Sequence, residues 1–393
     1  MGLFLYFELD IEISNEYSKW VTITLMNAKP KIEDFGYDDF FEINRKKLNL
    51  DSFSVARIIT EHRSVYEAIN QNGIFLAKIT GKQMFRASSR EDYPVIGDWV
   101  VIDELNDGQA VIRGILPRKT IIKRKFGDEN RAGKKTKTQV IGANIDVVYA
   151  IESVDRDYNL NRFERYFAIA RDGGVRPVIV LNKVDLISKE NLNSKLSELK
   201  RRFKDVDIVT TSTVSTEGLD ELRKHMVRGK TYCFLGSSGV GKSSLINKLI
   251  GEGEKIKIGD ISKYSGRGKH TTTSREMYFL KSGSIVIDNP GMREVGMAIA
   301  KEGVVDLFDE ITILAKKCKY INCAHVSEPG CEVLSALKSG KLDKGKYLNY
   351  TNLKKEAEYH EMTELEKREK DRQFGKFVNK AKKDLKDREH KSY

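Results

Sequence analysis

Cysteine is scarce in this chain, with four residues among 393, too few for the disulfide framework of a small secreted domain. Three of the four, Cys318, Cys323 and Cys331, fall within one short window, which in a cytosolic chain points to a metal site. Long apolar runs are also missing, because no uncharged stretch approaches the about 18 to 20 residues of a membrane span. We therefore expect a soluble protein with no membrane partner.

A secretory signal is missing as well. Residues 3–7 form only a short apolar stretch, no basic region precedes it, and acidic residues follow at positions 8, 10 and 12. We therefore expect a cytoplasmic protein. We also expect it to be monomeric.

An acidic surplus is absent: 69 Lys and Arg stand against 57 Asp and Glu, which gives a formal charge of +12. A basic surplus favours a polyanionic partner such as nucleic acid. Because many basic proteins bind no polyanion, charge alone leaves that partner open. With 40% hydrophobic and 32% charged residues, the composition is ordinary for a globular chain, and the length suits two or three domains.

The first third of the chain predicts a small all-β domain. Residues 1–51 show no sustained hydrophobic periodicity and are interpreted as a partly helical N-terminal extension. Residues 52–125 contain short apolar or alternating runs separated by Gly and Pro, which is typical of a five-stranded oligonucleotide-binding (OB) barrel; an SH3-like barrel fits as well. The stretch 119–137 is basic and has no hydrophobic periodicity, so it is predicted to be a loop. Within the domain division, residues 126–139 are assigned as a basic linker.

Residues 140–300 alternate between apolar strands and helical stretches, which predicts an α/β domain with a parallel sheet covered on both faces. An apolar strand at 231–235 leads into a phosphate-binding loop and an apolar-periodic helix. The loop residues are Gly236, Ser237, Ser238, Gly239, Val240, Gly241, Lys242, Ser243 and Ser244. Lys242 is expected to bridge the β- and γ-phosphates as a catalytic residue, and Ser243 to ligate Mg²⁺.

A second phosphate-side motif begins at Asp288, which ends the apolar strand 284–287. A carboxylate there is placed to hold Mg²⁺ through water, and Gly291 can offer its N–H to the γ-phosphate. The segment 266–273 lies between the two motifs and ends in Thr271, Thr272 and Thr273. One of these threonines, assigned as Thr272, could complete the Mg²⁺ shell when the γ-phosphate is present. This segment would then act as a switch.

Guanine specificity is indicated by Asn182, Lys183, Val184 and Asp185, an N-K-x-D motif at a strand end. The Asp carboxylate accepts from the ring N1–H and the exocyclic amine together, the Lys stem covers the base face, and the Asn ties down the loop. Ser212, which follows a further strand, is expected to support the base from a neighbouring loop.

The order of these motifs decides the topology. In ordinary GTPases the phosphate loop comes first, whereas here N-K-x-D precedes it by more than fifty residues. The domain must therefore be circularly permuted, which is tolerated because domain termini lie at the surface near one another. The permutation also places residues 301–393 directly after the nucleotide-sensing segment.

Residues 301–393 predict a mainly helical domain with a structural Zn²⁺ site of one ion. Cys318, Cys323, His325 and Cys331 form a closed Cys₃His ligand set within fourteen residues; three buried thiols beside an unrelated His are the alternative. Residues 367–393 hold eleven Lys or Arg and five Asp or Glu, so this stretch is either a phosphate-binding helix or a solvated one.

Together these features resemble the RsgA family of circularly permuted GTPases that depend on the small ribosomal subunit. The resemblance includes barrel signatures at residues 94–100 and 116–118. It implies an enzyme that binds the maturing small subunit and its ribosomal RNA, hydrolyses GTP to GDP faster on the subunit, and leaves after hydrolysis.

The resemblance also implies a catalytic role for His270. Met292 stands where a Ras-like enzyme carries its water-orienting Gln, and Met cannot orient water. His270 is then the candidate for that role, and a contact between His270 and ribosomal RNA is the equal alternative. The family usually carries Thr where this chain has Asn289, a change that leaves Asp288 in place.

Two other function classes remain open. A transporter ATPase subunit or a kinase also has a phosphate loop, but neither needs N-K-x-D. A non-hydrolysing RNA-binding module with a nucleotide-sensing switch accounts for the barrel, the zinc site and the basic tail, but it leaves Lys242, Ser243 and Asp288 without a role.

Overall fold

The computed structural model describes residues 30–62, 65–126, 137–155, 158–251, 276–288, 301–362, 365–366, 368–376 and 378. Among these residues, no helix combines the length and apolar character needed to cross a membrane.

The N-terminal segment packs onto the barrel through aromatic side chains. Helix α1 (Asp39–Lys47) begins after Asp38, whose carboxylate caps it by accepting from the N–H of Phe40 at 3.1 Å. Phe35 and Phe41 are each 1% exposed, and the ring centroid of Tyr37 lies 4.8 Å from that of Trp99. The described part of the predicted extension therefore contributes to the core, because Tyr37 and Phe41 pack against Trp99.

A five-stranded barrel follows, as the sequence predicts. Its elements are β1 (Ser54–His62), β2 (Val65–Asn70), β3 (Gly73–Ile79), the short helix α2 (Gly81–Arg86), β4 (Trp99–Glu104) and β5 (Gln109–Ile115). The hydrogen-bonded order is β1-β2-β3-β5-β4, and β4 pairs again with β1, so the barrel closes. Sequence reasoning missed β2, whose apolar positions are separated from those of β1 by charged residues.

The predicted loop at 119–137 is wrong at both ends. Strands β6 (Ile121–Phe126) and β7 (Lys137–Ala143) form an antiparallel two-stranded ribbon, and the predicted linker 126–139 overlaps both. Ile122 and Ile141 are buried and hold the ribbon against the core. Basic residues obscure the two strands in the sequence, because apolar residues occupy only the ribbon positions that face the core.

The α/β domain has the predicted parallel sheet. Its elements are β8 (Val147–Ser153), α3 (Leu160–Asp172), β9 (Arg176–Asn182), α4 (Lys189–Arg202), β10 (Ile208–Thr211), α5 (Leu219–Lys224), β11 (Thr231–Leu235), α6 (Lys242–Ile250), β12 (Glu276–Phe279) and β13 (Ile285–Asp288). The order is β10-β9-β8-β11-β13-β12, with β12 antiparallel to β13. Every residue of β11 is buried, as expected of a central strand with helices on both faces.

The barrel and the parallel sheet share hydrogen bonds. Barrel strand β1 pairs with β12 at Thr60 and Glu276, so the described strands other than β6 and β7 form one continuous hydrogen-bonded array. The sequence predicts two separate units, because nothing local to either strand identifies the other as its partner.

The described C-terminal residues include four helices, two of which pack on α3. The helices are α7 (Lys301–Leu307), α8 (Asp309–Ala315), α9 (Glu332–Lys338) and α10 (Lys344–Glu361). A Cβ on Gly303 would lie 2.4 Å from the carbonyl oxygen of Ala168, so only glycine permits this close approach of α7 to α3. Arg165 on α3 forms two hydrogen bonds with Glu356 on α10, at 2.8 and 2.7 Å.

Candidate functional site

The predicted phosphate loop connects β11 to α6, at the carboxyl edge of the parallel sheet. Its glycines are required by neighbouring atoms as well as by backbone angles. Gly241 has φ +98°, and a Cβ there would lie 2.3 Å from Asn182 Nδ2. A Cβ on Gly236 would lie 2.5 Å from the carbonyl oxygen of Ile151. The loop therefore packs tightly against the ends of β8 and β9.

Lys242, the first residue of α6, folds back across this loop. Its Nζ donates to the carbonyl oxygens of Gly236 and Ser237, both at 2.6 Å. Ser237 Oγ is buried and has no hydrogen-bond partner among the described residues. A phosphate in the loop would offer acceptor oxygens to both groups, so these residues fit the anion that the sequence predicts.

The Asn of N-K-x-D joins the base side of the site to the phosphate side. Asn182 is 0% exposed, and its Nδ2 donates to the carbonyl oxygen of Val240 in the phosphate loop at 2.8 Å. Thr211 Oγ1 donates to Asn182 Oδ1 at 3.0 Å. The side-chain amide is thereby satisfied at both ends and fixes two loops relative to each other.

Asp185 and Ser212, which the sequence places in neighbouring loops, are in direct contact. Ser212 Oγ donates to Asp185 Oδ1 at 2.5 Å and accepts the N–H groups of Val214 and Ser215 at 3.1 and 3.0 Å. The hydroxyl therefore orients the carboxylate while holding its own loop. No other hydrogen bond to this carboxylate comes from the described residues, so it can accept the N–H donors of the base.

Asp288 ends β13, next to the strand that leads into the phosphate loop. Burial raises the pKa of this carboxyl group, the nearby Glu276 raises it further, and Lys242 lowers it. In the strand pairing, Glu276 lies directly opposite Asp288. A half-buried carboxylate beside a second acidic group favours a cation, so Asp288 and the hydroxyl of Ser243 fit the predicted Mg²⁺.

Several predicted residues lie outside the described part of the chain. They are His270, Thr271, Thr272, Thr273, Asn289, Gly291 and Met292. Their predicted roles in the switch, in water orientation and at the γ-phosphate stay predictions.

The four predicted zinc ligands come together between α8 and α9. The ligand atoms of Cys318, Cys323, His325 and Cys331 all lie within 4.8 Å of one another. The Sγ atoms of Cys318 and Cys331 are 3.8 Å apart, which is the edge of a tetrahedron with Zn–S bonds of about 2.3 Å. Burial lowers the pKa of His325, so its imidazole is neutral and can act as a ligand. The donor set and spacing fit a tetrahedral Zn²⁺.

Sequence reasoning missed two residues at the base side. Thr211 ends β10 and lies opposite Asn182 in the strand register, a placement that only the pairing shows. Asp155 follows β8 and forms an ion pair with Lys183 at 2.9 Å. A polar residue at or just beyond the carboxyl end of a parallel strand was the available signal in both cases, since these positions meet at one edge of the sheet.

Comparison with solved structures finds the same fold. YjeQ from Thermotoga maritima superposes with a TM-score of 0.56 at 25% identity, covering 77% of this chain and 98% of that one. YloQ, described as a circularly permuted GTPase, gives a TM-score of 0.56 at 21% identity and covers 79% of this chain and 97% of its own. The permuted order predicted from the motifs is thus the order of a known fold.

Sequence comparison identifies the family. The RsgA GTPase family model matches residues 115–298. Small ribosomal subunit biogenesis GTPase RsgA 1 of Bacteroides thetaiotaomicron is 33% identical over 91% of this chain and 99% of its own length. RsgA 2 of Lactiplantibacillus plantarum is 38% identical over 86% and 93%, respectively. Since these relatives match along nearly their whole lengths, the chain belongs to the RsgA family of GTPases.

Proposed function

We propose that this protein hydrolyses GTP during late maturation of the small ribosomal subunit. It binds the subunit and its ribosomal RNA, turns over faster on the subunit, and leaves after hydrolysis. The names of its relatives, small ribosomal subunit biogenesis GTPases, support this assignment.

The contact that best supports guanine-nucleotide chemistry is the hydrogen bond from Asn182 to Val240, at 2.8 Å. It fixes the base-reading loop to the phosphate-binding loop, so one nucleotide can contact both. A kinase or a transporter ATPase has no need of this connection, because neither reads guanine through N-K-x-D. A non-hydrolysing module would not need Asp288 beside the strand that leads into the phosphate loop.

In this mechanism the base is read by Asp185, whose carboxylate accepts from the guanine N1–H and the exocyclic amine together. Lys183 covers the base face with its stem. The backbone N–H groups of residues 236–244 cradle the phosphates, and Lys242 moves from its own loop carbonyls to the β- and γ-phosphate oxygens. Ser243, Asp288 and Thr272 would hold Mg²⁺, which supplies charge neutralisation at the phosphates.

The residue that orients the attacking water is proposed to be His270, with contact to ribosomal RNA as its alternative role. The two roles separate experimentally. If His270 orients water, His270→Ala lowers turnover on the subunit while GTP affinity stays unchanged. If it contacts RNA, the variant binds subunits more weakly and its basal turnover is normal.

We propose that the Cys₃His cluster holds one structural Zn²⁺. All four ligand positions are protein atoms, so no open position remains for substrate. Tyr347 on α10 donates from its hydroxyl to the carbonyl oxygen of His325 at 2.6 Å, which ties the ligand loop to the helix that packs on α3. The metal would thus order a loop whose position is defined relative to the GTPase sheet.

The barrel is proposed to be of the OB type and to contact ribosomal RNA. Its order returns β4 to β1, β3 runs parallel to β5, and α2 lies between β3 and β4; these features support the OB assignment over an SH3-like barrel. The formal charge of +12 supports a polyanionic partner. We further propose that the protein acts as a monomer in the cytoplasm and cycles between GTP and GDP.

The experiment that tests this function measures phosphate release from GTP and from ATP, with and without purified small subunits and, as control, large subunits. We expect turnover of GTP alone, raised by small subunits only. Hydrolysis of ATP at the same rate would indicate one of the ATP-using classes. Binding of GTP without any hydrolysis on subunits would indicate the nucleotide-sensing module.

A further inference from the structure

Asp155 lies in the loop after β8, between the two loops that form the nucleotide site. Strand β8 pairs with β9 on one side and with β11 on the other, so residues that follow it lie between the N-K-x-D loop and the phosphate loop. Ser153, the last residue of β8, lies opposite Asn182 in the register and is 2% exposed. Neither sequence motif includes this loop.

Hydrogen bonds from Ser153 and Lys183 help to fix the carboxylate of Asp155. Ser153 Oγ donates to Asp155 Oδ1 at 2.7 Å, and Lys183 Nζ donates to Asp155 Oδ2 at 2.9 Å. The side chains of Asp155 and Lys183 are each 30% exposed, so the ion pair is partly shielded from water. A buried hydroxyl thus orients the carboxylate, and the carboxylate orients the lysine.

The backbone conformation of Lys183 fixes the other end of the same side chain. Its φ is +61°, a left-handed conformation that non-glycine residues adopt only when their surroundings stabilise it. The stem that leaves this backbone is long and has several freely rotating bonds. When the ammonium group is held at Asp155, both ends of the stem are fixed before a base arrives.

We propose that Asp155 is a positioning residue for nucleotide binding: through its ion pair it holds the Lys183 stem in place to form one face of the base pocket. The inference rests on the proposed function, because it requires a guanine base against Lys183. A preorganised stem loses less conformational freedom on binding, which strengthens affinity without a new contact to the ligand.

This role differs from that of Asp185. The Lys183 stem contacts the flat face of the base, which every purine presents, whereas Asp185 reads the guanine edge. Loss of Asp155 should therefore weaken GDP and GTP binding by the same factor. It should weaken binding of xanthosine diphosphate to the Asp185→Asn variant by that factor as well.

The test measures dissociation of a fluorescent N-methylanthraniloyl GDP from the full chain. Asp155→Ala should raise the dissociation rate by about two- to tenfold, the effect of one side chain that must be ordered on binding. Lys183→Met keeps an apolar stem but removes the amine, so adding Asp155→Ala to Lys183→Met should change the rate no further. A residue that merely supports the fold would add its effect in both backgrounds.

Asp207→Ala is the matched control. Asp207 forms an ion pair with Arg176 at the opposite end of β9, far from the base-reading loop, so the variant should release GDP at the wild-type rate. Asp155→Asn keeps an acceptor for Ser153 without the negative charge, and a rise in its dissociation rate is expected even if Asp155→Ala folds poorly.

Three outcomes would overturn the inference: a wild-type rate for Asp155→Asn, an additive effect with Lys183→Met, or an equal effect of Asp207→Ala. Each of these measurements compares rates of GDP release and requires no ribosomal subunits. Failure of the proposed function would instead appear in the unmodified chain, as GTP turnover that small subunits leave unchanged. The two failures are therefore distinguishable.

Discussion

The guanidinium of Arg57, on barrel strand β1, donates to Thr231 Oγ1 at 2.8 Å, at the first residue of the strand that leads into the phosphate loop. The same side chain donates to the carbonyl oxygens of Phe35 at 2.6 Å and Asn144 at 3.1 Å. Arg57 is 1% exposed, and burial lowers its pKa to about 10, which leaves it protonated at neutral pH. One buried cation thus connects the N-terminal segment, the barrel, the ribbon and the GTPase sheet.

Replacing this arginine should destabilise the junction. Arg57→Met removes the donor to the buried carbonyl oxygens of Phe35 and Asn144. We expect the free energy of unfolding to fall by about 3 kcal/mol, the range for breaking a buried hydrogen-bond network. Urea unfolding followed by circular dichroism measures it. Arg113→Met is the control, since Arg113 forms an exposed ion pair with Asp103 on the same barrel, and a change of about 0.5 kcal/mol or less is expected. Equal losses for the two variants would contradict a central role for Arg57.

Guanine selectivity should depend on Asp185. In Asp185→Asn the carboxamide oxygen can still accept from Ser212, so its NH₂ group faces the base and offers a donor where guanine also offers donors. We expect GTP affinity to fall by about 2 to 4 kcal/mol and xanthosine triphosphate to bind better. Isothermal titration with both nucleotides measures the change. Asp220→Asn, at an exposed position on α5, should bind GTP normally; undiminished GTP binding by Asp185→Asn would show that the motif is misread.

The phosphate contact should depend on Lys242 without supporting the fold. Its amine donates hydrogen bonds to the carbonyl oxygens of Gly236 and Ser237 in the phosphate loop and is not part of the core. Lys242→Ala should therefore abolish GTP turnover while the melting temperature changes little, and Ser243→Ala should behave in the same way. Lys224→Ala removes an exposed lysine from α5 and serves as control. Turnover that survives in Lys242→Ala would remove this residue from the mechanism.

Local pattern predicted the parts of the site that contiguous residues build. Strand 231–235 and the loop after it appear where expected, because a central parallel strand is a continuous apolar run and the glycines are needed at fixed offsets. The Cys₃His cluster was predictable for the same reason, since its ligands lie within one short window. Both features carry their spacing in the sequence itself.

Contacts between distant residues were not predictable from local pattern. Arg57 stands in a strand whose central residues are all buried, and its partners are mostly backbone carbonyls, which no residue type identifies in advance. Asp155 could be assigned to the site only from the pairing of β8 with β9. The pairing of β1 with β12 likewise depends on tertiary placement, so the sequence predicts two units where the hydrogen bonds join them.

The last prediction concerns the zinc cluster and how far its influence extends. A Cys₃His site stabilises its loop only with metal bound, so chelation or Cys323→Ser should disorder residues 318–331. Helix α10 should remain docked, because Arg165 with Glu356 and Asn349 with Glu164 hold it to α3 independently of the metal. Basal GTP turnover should then persist while stimulation by small subunits disappears.

Hydrogen exchange of the full chain measures the first effect, and phosphate release with and without subunits measures the second. Ser327→Ala, an exposed change in the same loop, should alter neither. Metal analysis should find about one zinc per chain, the content of a single closed site. If a metal-free variant is still fully stimulated, the cluster does not anchor the subunit, and the coupling must instead pass through the barrel and Arg57.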